Sequence, residues 1–136
     1  MVNVTFQTGS EQVSVLGSVI YGTDFYTRRL NQFSLELADG EDAVYDAGPN
    51  VVMGTLMMKG IDYSEGLDFE TWLKEELIFQ KNKFSIQGIS GVNLGKGLGE
   101  GISDARFTGG KSTQSVLQLV APGKFNLTFP YKFIDS

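Results

Sequence analysis

The clearest periodicity in the chain lies near its carboxyl end, where Phe125, Leu127, Phe129, Tyr131 and Phe133 alternate with Asn126, Thr128, Pro130 and Lys132. A period of two places five large side chains on one face of a strand. Pro130 lacks a backbone donor and predicts an edge position or a bulge at that point. The run 113–121 reads as the hairpin partner, with Pro122-Gly123-Lys124 as the turn. Extended character recurs in 2–7, through Val2, Val4 and Phe6, and in 12–21, through Val13, Val15, Val19 and Ile20. Phe33, Leu35 and Leu37 alternate with Ser34 and Glu36 and stop at Asp39-Gly40, a turn dipeptide. Residues 31–61 read as a long hairpin with an acidic tip at 38–50 that contains Gly48-Pro49. A tip of that length is a contact element rather than a connector.

The period changes once. Phe69, Trp72, Leu73 and Leu77 recur at helical spacing, which predicts a helix over 68–79 packed on a sheet through that stripe. Asp68 is placed to cap the first turn, Leu67 to pack onto Trp72, and Glu70 to pair with Lys74. Met53, Met57 and Met58 read as core filler. Extended character resumes at 83–89 and again at 102–108, separated by a glycine-rich loop at 88–101. Strands, one helix, then strands describe a single mainly β domain, a β-sandwich or barrel flanked by one α-helix.

The chain has 136 residues, enough for one self-sufficient core, with no cysteine and no histidine. Thiol nucleophiles, disulfides, imidazole general bases and the commonest transition-metal ligands are therefore absent. The net charge is −5, which does not suit a protein that wraps nucleic acid. The charge is uneven: residues 36–76 carry eleven acids and two lysines, whereas 77–136 carry three acids and seven bases. A bipolar molecule of this kind suits head-to-tail contact with copies of itself.

Each candidate for chemistry fails on its context. Gly95-Lys-Gly-Leu-Gly-Glu-Gly101 is rich enough in glycine to suggest an anion nest, but a strand rather than a helix follows it. Gly109-Gly-Lys111-Ser112 resembles the end of a phosphate loop whose first glycine would fall at Ala105. Asp39, Glu41, Asp42 and Asp46 lack the ligand spacing of a calcium loop. The acids at 65–76 offer no identifiable buried pair for glycosidase-type catalysis. Neither an enzyme nor a cofactor is expected, and no apolar run is long enough to span a membrane as a helix. The amino terminus lacks the pattern of a secretory signal, so the expectation is a protein made in a host cytoplasm.

The layout resembles the tail-tube family of long-tailed and contractile bacteriophages and related phage virion structural proteins. The likeness lies in a small cysteine-free chain with an extended hairpin, one central helix and a carboxyl-terminal β-hairpin. It implies a structural subunit located in the virion, whose rings stack into a channel for DNA delivery. The implied partners are the chain itself as ring and stacked ring, other virion proteins such as a sheath or baseplate, and DNA passing without specific binding. No membrane and no catalytic residues are implied. Asp39, Glu41, Asp42 and Asp46 on the hairpin, with Lys96 and Lys111 in the glycine-rich segments, are the expected subunit contacts. The alternative is a free-standing ligand- or carbohydrate-binding module using exposed aromatics such as Tyr21, Phe25, Tyr26 or Tyr63.

Overall fold

The computed structural model describes residues 1–20, 26–29, 32–36, 42–46, 50–90, 94, 100–111 and 116–135. The strands in chain order are β1 (Val2–Thr8), β2 (Glu11–Val19), β3 (Tyr26–Arg29), β4 (Gln32–Glu36), β5 (Asp42–Asp46) and β6 (Asn50–Asp62), then β7 (Phe84–Ser90), β8 (Glu100–Phe107), β9 (Leu117–Ala121) and β10 (Lys124–Asp135). Helix α1 (Tyr63–Thr71) joins β6 to β7. Eight strands form one sheet in the order β3-β6-β2-β1-β7-β8-β10-β9, and an additional β6–β10 pairing closes six of them into a barrel. Of the two expected architectures, the barrel is the one found. Closing a sheet removes the edges of its strands and forces them to tilt and bend.

The bends fall at glycines and at one aspartate. Gly60, Gly88 and Gly101 have positive φ, and a Cβ at Gly88 or Gly101 would lie 2.2 or 2.0 Å from a backbone carbonyl oxygen of the neighbouring strand. Only a residue without a side chain fits there. The register between β7 and β8 shifts on both sides of Ile86. The loop expected over 88–101 is thus shorter, since β7 runs to Ser90 and β8 begins at Glu100.

The long strands β6 and β10 form the spine, paired from Lys124↔Asp62 to Asp135↔Asn50. Each splits its other edge between two partners. β6 meets β3 along 51–54 and β2 at 58–59; β10 meets β9 along 124–127 and β8 at 131–132. Pro130 sits where β10 changes neighbour. Thr128 donates to Val116 on that side at 2.8 Å, and by two-residue alternation the nitrogen of Pro130 points the same way. Its missing donor falls in the gap between β9 and β8, so the proline occupies a break in the ladder rather than a sheet edge.

Phe125, Leu127, Phe129, Tyr131 and Phe133 all point inward and are buried, as their alternation requires. Phe129 is the hub, with ring centroids 5.2 Å from Phe6, 5.1 Å from Phe84, 5.1 Å from Phe107 and 5.6 Å from Phe69. These edge-on and offset contacts tie β1, β7, β8, β10 and the helix into one cluster. Elsewhere in the interior, the Tyr131 hydroxyl donates to the Leu94 carbonyl at 3.0 Å, and Leu94 is fully buried.

The helix begins earlier than its apolar stripe. Asp62, extended at φ −62° and ψ 148°, precedes the first turn without a side-chain cap, and Asp68 lies inside the helix rather than at its start. Leu67 is exposed and does not staple the helix. The stripe itself is as expected: Phe69, Trp72, Leu73 and Leu77 are buried, and Glu70 pairs with Lys74 at 2.9 Å. From Trp72 to Leu77 the helix widens to the π type and ends at Ile78 and Phe79, both with positive φ. Close approach to the barrel is made by Gly66, where a Cβ would stand 2.3 Å from the Phe125 ring.

Hairpin pairing differs from expectation in the middle of the chain. β4 pairs with β5, Gln32 opposite Asp46 and Glu36 opposite Asp42, in a two-stranded sheet of their own. β6 pairs with β2, β3 and β10 instead. The carboxyl-terminal hairpin, β9 with β10, is as expected.

Candidate functional site

Among the described residues the interior holds no charged side chain and no buried polar side chain without a partner. Nor does any group of three acidic side chains there have the arrangement of a metal site. Among the described residues, two places on the surface stand out.

The first is where β8 parts from β10. The two strands pair only at Tyr131↔Phe107 and Lys132↔Arg106. Asp104, with φ 54°, turns β8 away, a backbone conformation that aspartate tolerates better than most residues. The opening is a cavity of about 460 Å³ lined by Val51, Lys83, Asp104, Arg106, Lys132, Phe133 and Ile134. Arg106 and Lys132 are directly opposite one another, an arrangement in which like charges destabilise a ladder. The Arg106 guanidinium donates to the carbonyls of Gln80 and Lys81 at 3.3 and 3.1 Å, just past the helix. Among the described residues no carboxylate forms an ion pair with Lys83, Arg106 or Lys132, since the ion pairs there are Glu70–Lys74 and Asp62–Lys124.

The second is the acidic wall beside the helix. Glu11, Asp68 and Glu76 line a groove with Trp72, whose indole N–H donates to the Glu11 carbonyl at 3.4 Å. Lys83 borders both places, because it also lines a second cavity with Glu11 and Glu76. The helix acids and the cationic cavity thus meet at Lys83 instead of occupying opposite ends. Glu65, also from the helix, accepts the Leu16 backbone N–H at 3.1 Å and so satisfies a donor of β2 beyond its short pairing with β6.

The sheet also keeps open edges. Among the described residues β3 pairs only with β6 and β9 only with β10, at diagonally opposed corners of the spine. Leu119 and Val120 on β9 are 56% and 52% exposed, a combination that soluble monomers ordinarily avoid on an edge strand. Met58 fills the core as expected, whereas Met53 and Met57 face outward, 45% and 40% exposed. The reason is register: β6 alternates, so neighbouring positions cannot both be interior.

The expected contact residues are dispersed. Asp42 and Asp46 lie in β5, not in a loop, and Lys111 is exposed beyond the end of β8. Asp39, Glu41 and Lys96 lie outside the described residues. Tyr63 is half-exposed and stacked on Phe125 at 5.5 Å, while Tyr21 and Phe25 lie outside the described residues. The cationic cavity does not show in the sequence, because Lys83, Arg106 and Lys132 are separated by 23 and 26 positions and come together only in the fold, Arg106 and Lys132 through strand pairing. No helix among the described residues is long and apolar enough to cross a membrane. Comparison with protein-family models and with curated proteins gives no match to this chain.

Proposed function

We propose that the protein is a self-assembling structural subunit, a phage tail-tube protein or a related virion component whose stacked rings form a channel for DNA delivery. The observation that carries the reading is the pair of strand edges, β3 and β9, that are open among the described residues, at opposite corners of an otherwise closed barrel. Two different free edges on one subunit allow head-to-tail pairing between copies, and a head-to-tail contact that closes on itself makes a ring. An interior that, among the described residues, holds no charged side chain supports a structural rather than a catalytic role. The net charge of −5 suits a conduit that lets DNA pass without holding it.

The test is sedimentation velocity with electron microscopy across protein concentration and salt. The wild type forms rings at high concentration, and Leu119→Lys with Val120→Lys abolishes them while leaving the monomer's melting temperature unchanged, because both side chains are already exposed. A wild type that stays monomeric at high concentration and low salt removes this reading and favours a free-standing ligand- or carbohydrate-binding module. Glycan binding by that monomer would then be the next measurement.

A further inference from the structure

Two ladders in this molecule carry like charges directly opposite one another, and the two have opposite signs. In β8–β10 the pair is Arg106 and Lys132, beside Lys83 in the cavity of about 460 Å³. In β4–β5 the pair is Glu36 and Asp42, and Asp46 stands opposite Gln32. Either arrangement weakens its own ladder. The β4–β5 ladder bears the greater burden, because a two-stranded hairpin is at best marginally stable alone in water. Here that hairpin forms a sheet separate from the barrel.

We infer that the cationic cavity formed by Lys83, Arg106 and Lys132 is the docking site for the acidic β4–β5 hairpin of a second copy of this chain. The inference rests on the self-assembly reading above and gives one of its contacts a location. Charge complementarity selects the occupant: residues 36–46 contain five acids and no base, and among the described residues the cavity lining holds three cations and one carboxylate, Asp104. Seating the hairpin there would relieve both like-charge pairs together, which neither ladder achieves within itself. The apolar part of the lining, Val51, Phe133 and Ile134, gives the contact a component that salt does not screen. Arg106 is held by the carbonyls of Gln80 and Lys81, so its guanidinium is fixed before anything binds.

The experiment exchanges the charges. One variant carries Lys83→Glu and Lys132→Glu in the cavity; the other carries Glu36→Lys, Asp42→Lys and Asp46→Lys in the hairpin, which leaves two acids against three lysines over 36–46. Each alone is expected to need about tenfold more protein to associate than the wild type does. An equal mixture is expected to associate as readily as the wild type, since every cavity then meets a hairpin of opposite sign. Melting of each variant at a concentration where the wild type is monomeric shows that both remain folded. Variants that associate like the wild type, or a mixture no better than its components, overturn the dock while leaving self-assembly by sheet edges in place. Effects that do not depend on concentration also overturn it, because they would mean a hairpin seated on its own chain. Retention of a fluorescent DNA duplex by the wild type and not by the cavity variant would overturn it in favour of a nucleic-acid site. A wild type that never associates removes the self-assembly reading, and this inference with it.

Discussion

At the scale of single residues, two positions carry a local cost. Ile78 ends the helix in the left-handed conformation, φ 52° and ψ 51°, and is 41% exposed. A β-branched residue there is penalised by roughly 1–2 kcal/mol, which glycine avoids. Ile78→Gly is therefore expected to raise stability by about 1 kcal/mol, read as a higher urea midpoint with an unchanged slope. Lys132 is opposite Arg106 in the ladder, so Lys132→Thr should stabilise the monomer by about 0.5 kcal/mol, through relief of repulsion and better strand propensity. The same substitution should weaken association. A variant that is more stable as a monomer yet less able to associate separates a contact role from a folding role, and equilibrium unfolding with sedimentation reads both.

At the scale of elements, the helix is the piece that fills the barrel from one side. Trp72 is 3% exposed and packs against Phe6 at 5.8 Å and Phe84 at 6.3 Å. Trp72→Ala should cost about 3–5 kcal/mol, seen as a large fall in melting temperature, and unchanged melting would contradict this packing. Gly66→Ala forces a methyl group against the Phe125 ring and should cost about 1–3 kcal/mol in the same assay. These elements were the legible part of the sequence. Period two gave β10 and its inward face, and period 3.6 gave the stripe from Phe69 to Leu77, because each pattern records burial on one side. The start of the helix was hidden, since Tyr63, Ser64 and Glu65 carry no stripe and Asp62 makes no cap bond. Partnership was hidden as well. Alternation in Phe33 and Leu35 announces a strand without saying whether its neighbour is β5 or β6, and Met53 beside Met58 shows that composition cannot fix which face is inside. The cavity of Lys83, Arg106 and Lys132 is a product of register, which a linear chain does not display.

At the scale of the whole molecule, the barrel is sealed at two short seams, β2–β6 through Ser18↔Lys59 and Val19↔Met58, and β8–β10 through two pairs. Glu65 of the helix bonds to β2 near the first; the second opens into the cationic cavity. If the proposed contacts form, raising salt should weaken association through the cavity more than ring formation through strand edges, because only the former depends on unlike charges. Sedimentation across a salt series checks that order, and loss of rings at lower salt than loss of cavity-dependent association would reverse it. The spine has a consequence in time. β6 is complete at residue 62, but the partner that covers its other edge begins at Lys124, so about half of the chain intervenes. Closing so long a loop costs entropy before any pairing repays it, which places refolding in the range of about milliseconds to seconds rather than microseconds. Until β10 arrives, Val52, Leu56, Met58 and Ile61 lie on an uncovered strand edge, the kind of surface on which nascent chains adhere to one another. Stopped-flow refolding at rising protein concentration should therefore lose yield at high concentration. In the assembly proposed above, order would depend on the barrel closing before copies meet.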